Sequence, residues 1–300
     1  MYNNIRQRIG YILKSKLFWL TIAICAYIGG KDAYDLERQY LENLDLQERW
    51  VDKGVLLEFF QGVPINFDTI FAFMIITGLF ILLSIDHEKR CGIYRNRLQS
   101  GLSKTQLYLT ELTGALFATC VCWAALIAAN IIFAGDTQEW IKGKNIAALI
   151  IIYLLVGFSW ASILVLFSML MDSFVSTVVV IAVIVLISVV GLEFLHENMV
   201  SKLSENADFG TVTADADKEL SEGDIKQIEI LMYSNPIGMV ISAENLEDTV
   251  RYLQRVNDNV NYGYYERLGK TLKLFPLFSV IQISLFTFCG VSIFKRKNLV

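Results

Sequence analysis

Long apolar runs alternate with polar segments along the chain, and this pattern predicts a membrane protein. Six runs come close to or exceed the roughly 20 residues that a helix needs to cross a bilayer. They cover residues 11–30, 67–85, 107–134, 146–171, 174–194 and 274–294. The first run is the weakest, since Lys14 and Lys16 would have to extend back to the interface. We therefore expect an all-α membrane protein with six transmembrane helices.

The polar segments outside these runs fall into two kinds. Residues 1–16 carry four basic residues and no acid, and their apolar positions recur at helical spacing. This favours an interfacial amphipathic helix over a frayed basic terminus. In contrast, residues 31–66 hold eight acids against four basic residues, and 193–273 hold fifteen against eight. Apolar positions four apart within 31–66, and amphipathic patterns at 225–232 and 246–256 within 195–273, predict two helical extracellular caps.

A short polar loop, residues 86–106, separates the second and third runs. It contains five Lys/Arg and two acids, which is too much charge for the bilayer interior. The spacing of Ile93, Tyr94 and Leu98 gives a short helix one apolar side. Ser100-Gly101 should end that helix, and Ser103-x-x-Gln106 is a capping-box pattern that predicts the start of the next one.

The distribution of basic residues predicts the orientation. The N-terminal segment (+4), the loop 86–106 (five minus two, +3) and the tail at 295–297 (+3) are all basic. By the positive-inside rule both termini and the loop lie in the cytoplasm. An even number of spans is consistent with this, since it places both termini on the same side. We expect a multi-pass protein of the bacterial plasma membrane.

Composition excludes several classes of protein. Hydrophobic residues make up 54% of the chain and the mean hydropathy is +0.47, values too apolar for an ordinary soluble protein. Four of the five cysteines fall in the apolar runs, so no disulfide framework is expected for the caps. The segment 263–271 resembles a phosphate-binding loop but has five residues between its glycines where the motif has four.

The remaining titratable residues point to no catalytic centre. His87 and His196 would lie on opposite sides of the membrane by this topology. Glu111, Asp172 and Glu193 lie near the ends of runs, where we expect solvated structural roles. We therefore expect no enzyme activity and no cofactor in this chain.

The polar loop resembles the coupling loop of type 2 ATP-binding-cassette exporter permeases, which runs from a Glu through a Gly to a Ser followed by Arg or Lys. The loop lacks the Pro often found near Gly101 and the Lys often found near Glu111, so its docking turn can differ. Residues matching the family pattern are Glu88, Gly92, Arg95, Leu98, Ser103 and Lys104.

The resemblance implies the partners and the mechanism. The helix near 86–99 would dock on a separate cytoplasmic ATPase subunit, which holds ATP and Mg²⁺, with Tyr94 and Leu98 as the anchor and Arg95 and Arg97 for steering. Two permeases, identical or homologous, would work together in the membrane lipid. Family members also carry short helices that dip toward the bilayer before the last span. Here Pro236–Ile241 is either such a segment or an ordinary turn.

The size and charge of the two caps bear on the cargo. The large caps favour export of an amphipathic peptide or antibiotic, as in peptide-transport and antibiotic-resistance members. The acids of the second cap either capture a cationic substrate or only keep the cap soluble. An alternative is a non-transporting sensor or scaffold whose caps bind a ligand; nucleic acid is not expected as a partner. The candidate capture residues are Asp208, Asp215, Asp217, Glu222 and Asp224.

Overall fold

The computed structural model describes residues 2–42, 67–133, 146–205, 222–240 and 274–297, and every regular element in those ranges is helical. This confirms the predicted all-α class. A further helical stretch follows α8 at 236–240. The helices are α1 Tyr2–Lys14, α2 Lys16–Glu42, α3 Phe67–Arg90, α4 Ile93–Gln99, α5 Lys104–Phe133, α6 Ile146–Leu170, α7 Phe174–Glu205, α8 Glu222–Tyr233 and α9 Phe275–Arg296.

Five described helices, α3, α5, α6, α7 and α9, are long and apolar enough to cross a membrane. The chain bends by 68° at the junction of α1 and α2, and this pair adds a sixth span when it is counted as one. The predicted runs therefore correspond to five or six spans. The two counts differ in the first run, because Lys14 and Lys16 interrupt it at the bend.

Helix α5 lies at the centre of the bundle and contacts both α2 and α9 closely. A Cβ added at Gly29 of α2 would stand 2.2 Å from the carbonyl oxygen of Leu126, so the two backbones nearly touch. Asn130 of α5 donates a hydrogen bond of 3.3 Å to the Gly29 carbonyl oxygen at the same helix crossing. On the other side, the Tyr108 ring covers Gly290 of α9. Small residues thus set the close approach of helices, as they commonly do in membranes.

Helix α6 packs between α3, α5 and α9. Gly157 of α6 faces Thr119 of α5 and Phe73 of α3, and its lack of a side chain lets these helices approach closely. The indole nitrogen of Trp160 donates to the Met74 carbonyl oxygen of α3 at 3.0 Å. Buried Ser159 hydrogen-bonds to Gln282 of α9. These buried polar groups are therefore paired across helices.

The caps were predicted as segments separate from the spans, but their described parts are continuous with the spanning helices. Helix α2 continues to Glu42 and α7 to Glu205, so residues 31–42 and 195–205 extend the spanning helices without a break. The helix predicted near 225–232 is present as α8. The rest of the predicted caps, residues 43–66, 206–221 and 241–273, lies outside the described residues.

The segment after α8 reaches between the spans. The turn lies at Ser234 and Asn235, and 236–240 is helical with Ile237, Met239 and Val240 buried. Gln282 of α9 donates to the Tyr233 carbonyl oxygen at 2.8 Å, and Asn235 pairs with Ser188 of α7 at 2.5 Å. Burial between two spanning helices favours the segment that dips toward the bilayer over a surface turn.

Candidate functional site

The polar loop between α3 and α5 folds as its sequence predicts. Gly92 adopts φ +68° and reverses the chain after α3, and Gly101 adopts φ +94° after α4, a backbone conformation that favours glycine. The Ser103 amide donates to Gln106 Oε1 at 3.1 Å and the Gln106 amide to Ser103 Oγ at 3.2 Å. This reciprocal pair confirms the capping box, and α5 starts at Lys104.

Helix α4 presents its faces differently from the prediction. Tyr94 is buried against the bundle, and Leu98 is half-buried and packs on the same core. Arg95, Asn96 and Gln99 face outward. The expectation that Tyr94 anchors α4 in a partner's groove is therefore wrong, because its ring is already covered by this chain. The outer face of α4 is polar.

Beneath α4, four charged side chains form a buried ion cluster, which consists of Arg8, Glu88, Arg97 and Glu111. Arg97 Nη1 of α4 lies 3.0 Å from Glu88 Oε2 of α3 and 3.0 Å from Glu111 Oε1 of α5. Arg8 of α1 pairs with Glu88 and lies 2.8 Å from Glu111 Oε2 through Nη2. The cluster balances two cations against two carboxylates and joins four helices.

The cluster is deep, and the local sequence makes room for it. The Arg8 side chain is 5% exposed and that of Glu111 is 0% exposed. Gly114, one turn beyond Glu111, lacks the Cβ that would stand 2.8 Å from Arg8 Cγ, so α1 can lie directly on α5. Ser84 of α3 accepts a hydrogen bond from Arg8 Nη2 at 3.1 Å. Removing one member of such a buried pair lowers the free energy of unfolding by about 3–5 kcal/mol, because the other charge is left unpaired.

Tyr94 lies beside this cluster. Burial raises the pKa of its hydroxyl well above the ordinary value, so the phenol stays protonated at neutral pH. Its hydroxyl and Arg97 Nη2 are buried and have no hydrogen-bond partner in the described part of the chain. The cluster therefore holds spare donors next to its carboxylates.

A second set of contacts, made by lysines, connects the loop to the other spans. Lys104 donates to the carbonyl oxygens of Lys295 and Lys297 at the end of α9. Lys297 in turn donates to the Leu170 carbonyl oxygen at 2.6 Å and lies 2.5 Å from Asp172. Exposed Asp172 fits the solvated role expected of it, and the hydrogen bond and charge of Lys297 lower its pKa. Lysines near the carbonyl ends of helices are favourable partners.

The structure places the predicted coupling residues at several different points of the loop and bundle. Glu88 and Tyr94 meet at the ion cluster, Lys104 binds the end of α9, and Arg95 faces outward. Of the proposed capture residues, Asp208, Asp215 and Asp217 lie outside the described residues, and the side chains of Glu222 and Asp224 on α8 do as well.

Sequence reasoning missed Arg8 and misjudged Glu111. The amphipathic pattern of residues 1–16 groups Arg8 with the polar positions of the helix, but Arg8 shares a buried side with Ile12, four residues on. The prediction that Glu111 is solvated is wrong, since this residue is fully buried two turns into α5. The available signal was a lone acid within the apolar run 107–134, because an ionisable residue there requires a partner.

The sequence model of one family matches the central part of this structure. It is described as ABC-2 family transporter protein and matches residues 65–209. The match supports an ABC-2 type permease. It covers α3 to α7, including the loop, α4 and three members of the ion cluster. No curated protein sequence matches the chain.

The match agrees with the membrane architecture. ABC-2 permeases are membrane transport subunits, so the match and the apolar helices together support a multi-pass membrane permease. Arg8 lies outside the matched range. The α1 contact with the cluster is therefore a feature that only the structure reveals.

Proposed function

We propose that this chain is the transmembrane permease subunit of an ATP-binding-cassette exporter and that the ion cluster couples it to the ATPase. The observation that carries the proposal is the position of Arg97. It stands on the short helix of the loop yet pairs with Glu88 of α3 and Glu111 of α5 at 3.0 Å each. A displacement of α4 must therefore move or break contacts to two spanning helices.

The cluster suits a change between two packings. Tyr94 and Arg97 hold donors without a hydrogen-bond partner among the described residues, beside carboxylates that are already shared. A small movement of α4 can exchange these partners without stranding a charge. Packed interfaces tend to switch between discrete arrangements rather than deform continuously. ATP-driven closure of the ATPase would supply the displacement, and the spans would change between inward-facing and outward-facing arrangements.

The surface offered to the ATPase is the outer face of α4, with Arg95 as its cation. Arg95 is exposed, whereas Tyr94 and Leu98 face the bundle. We therefore assign Arg95 to recognition of the ATPase and Arg97 to transmission. Charges at the edge of an interface mainly affect the rate of association, while buried pairs affect what happens after docking.

The experiment compares two arginines on the same helix. Arg95→Ala should weaken co-purification of the ATPase, and transport should fall in proportion. Arg97→Ala should leave co-purification intact but abolish stimulation of ATP hydrolysis by the permease and transport. Arg97→Lys, which keeps the charge without the guanidinium fork, should show a partial form of the second defect.

Two results would contradict the proposal. One is normal transport in Arg97→Ala with a correctly folded protein. The other is failure of any ATPase to co-purify with the wild-type chain, which would favour a sensor or scaffold instead.

The same proposal extends to orientation, assembly and cargo. Both termini and α4 face the cytoplasm of the bacterial cell, as the basic segments predict. ATP and Mg²⁺ bind on the ATPase, and a second permease, identical or homologous, completes the transporter. The cargo is an amphipathic peptide or antibiotic exported from the cell.

Replacing the acids of the second cap tests the class of cargo. Five acids would attract a cationic peptide by long-range charge, which salt screens over about 8 Å at physiological strength. Replacing the five with amides should reduce transport of basic peptides most at low salt and leave neutral peptides unaffected. An equal loss for both kinds of peptide would assign the acids to solubility. The residues to change are Asp208, Asp215, Asp217, Glu222 and Asp224.

A further inference from the structure

A cleft of about 600 Å³ opens between the bend of α1 and α2 and the end of α3. Its lining includes the apolar side chains of Leu17, Phe80 and Leu83. It also includes the polar side chains of Lys14, Ser84 and Arg90. The cleft therefore offers an apolar and a polar surface to one ligand, as an amphiphile requires.

The position of the cleft is that of a membrane interface. Its walls are the ends of spanning helices, on the side where α4 and the lysines lie. At the bend, the exposed Trp19 ring donates through Nε1 to the Leu13 carbonyl oxygen at 2.8 Å. Tryptophan with its ring exposed and its nitrogen paired is typical of the headgroup level. Leu17 and Leu83 of the cleft remain 37% and 40% exposed, so apolar surface is available to a lipid chain.

The charges of the cleft leave one cation without a partner. Glu88 is neutralised within the ion cluster, and Asp86 lies 2.8 Å from Arg90. Lys14 is exposed and makes no ion pair in the part of the chain that the structure describes. Its ammonium group therefore gives the polar part of the lining an excess positive charge at the headgroup level.

We propose that the cleft binds an anionic phospholipid, with its phosphate at Lys14 and an acyl chain along Leu17 and Leu83. Basic pockets between spanning helices on the cytoplasmic side are suited to anionic headgroups. The assignment to the inner leaflet rests on the cytoplasmic orientation proposed above. Binding itself requires neither the ATPase nor transport.

The lipid would act on the coupling cluster through shared residues. Arg8 and Glu88 belong to the cluster and also line the cleft. An occupied cleft fills the space between α1 and α3 and holds Arg8 in contact with Glu88. The local lipid composition would thus set how firmly α1 is attached to the bundle.

The test is lipid retention by the purified full-length chain in detergent, measured by native mass spectrometry with phosphatidylglycerol or phosphatidylcholine added. Phosphatidylglycerol should be retained over phosphatidylcholine, and an excess of inorganic phosphate should not displace it. A basic residue near an anionic lipid contributes about 1 kcal/mol, so Lys14→Gln should lower retention about fivefold. Leu83→Trp should block the apolar part of the lining and abolish retention.

Two matched controls separate the cleft from the general surface. Lys16→Gln removes the same charge two residues away, and Leu79→Trp adds the same bulk one turn along α3; neither residue lines the cleft. Both should retain the lipid as wild type does. The proposal is overturned by equal retention of the two lipids, by equal effects of Lys14→Gln and Lys16→Gln, by retention in Leu83→Trp, or by displacement with free phosphate. Failure of the ATPase to bind would leave this result untouched.

Discussion

The ammonium group of Lys104 donates a hydrogen bond of 3.3 Å to the carbonyl oxygen of Lys295, so the first residue of α5 caps the last turn of α9. Lys297 then continues the connection, through its side chain, to the end of α6. The loop that carries α4 is thus attached to spans on both sides. The ion cluster connects it to α1, α3 and α5, and the lysines connect it to α9 and α6.

Changing Lys104 should interrupt the second of these connections. We expect Lys104→Met to retain the ATPase but to lower transport, since movement of α4 would no longer reach α9. The matched control is Lys295→Met, which removes a charge at the same place but keeps the backbone carbonyl that accepts the bond. Transport assays with both variants, at equal amounts of co-purified ATPase, measure the difference. Equal transport in the two variants would count against this connection.

The sequence predicted the spans and the turns of the loop, because both depend on local pattern. Apolar runs locate the spanning helices, and the capping box at Ser103 and Gln106 needs only neighbouring residues. It could not predict which side of α4 faces inward. That choice depends on Glu88 and Glu111, which become neighbours of Arg97 only when α3 and α5 pack together.

The same reasoning explains Arg8. Its helix reads as amphipathic, and a basic residue on such a helix ordinarily faces water or lipid headgroups. Only the absence of a side chain at Gly114, more than a hundred residues away, lets Arg8 reach Glu111. A contact set by packing at that sequence distance carries no local signal. The unpaired acid in the α5 run was the nearest available indication.

The ion cluster should show non-additive energetics. Arg8→Met leaves Glu88 and Glu111 with one cation between them, and we expect it to destabilise the protein by about 3–5 kcal/mol. Adding Glu111→Gln restores the charge balance, since Arg97 and Glu88 remain paired at 3.0 Å. The double variant should therefore be more stable than Arg8→Met alone. Thermal unfolding in detergent of the wild type, both single variants and the double variant measures the coupling.

Additive losses in that cycle would mean that the residues contribute independently of each other. Such a result would remove the physical basis for treating the cluster as one coupling unit. Arg6→Met provides the matched control, because Arg6 is exposed on the same helix. It should unfold at the wild-type temperature.

The crossing of α2 and α5 should tolerate no added methyl group. A Cβ at Gly29 would lie 2.2 Å from the Leu126 carbonyl oxygen, and a backbone atom cannot rotate away. Gly29→Ala should therefore separate the helices at an overpacking cost of about 1–3 kcal/mol and lower the unfolding temperature. Gly191→Ala is the control, since its Cβ would meet nothing within 4 Å. A wild-type unfolding temperature in Gly29→Ala would contradict this helix crossing.

The orientation can be tested with a native cysteine. Cys91 is exposed in the loop just beyond α3, while Cys25 and Cys122 are buried in the bundle. Cys120 is exposed but lies within the α5 span, where we expect lipid to keep it from a water-soluble reagent. If α4 faces the cytoplasm, a membrane-impermeant maleimide should leave Cys91 unmodified in intact cells and label it after permeabilisation. Cys91→Ser should remove that labelling and so assign it to this residue. Labelling of Cys91 in sealed cells would place α4 outside, out of reach of any cytoplasmic ATPase, and the coupling role of Arg97 would then have to be abandoned.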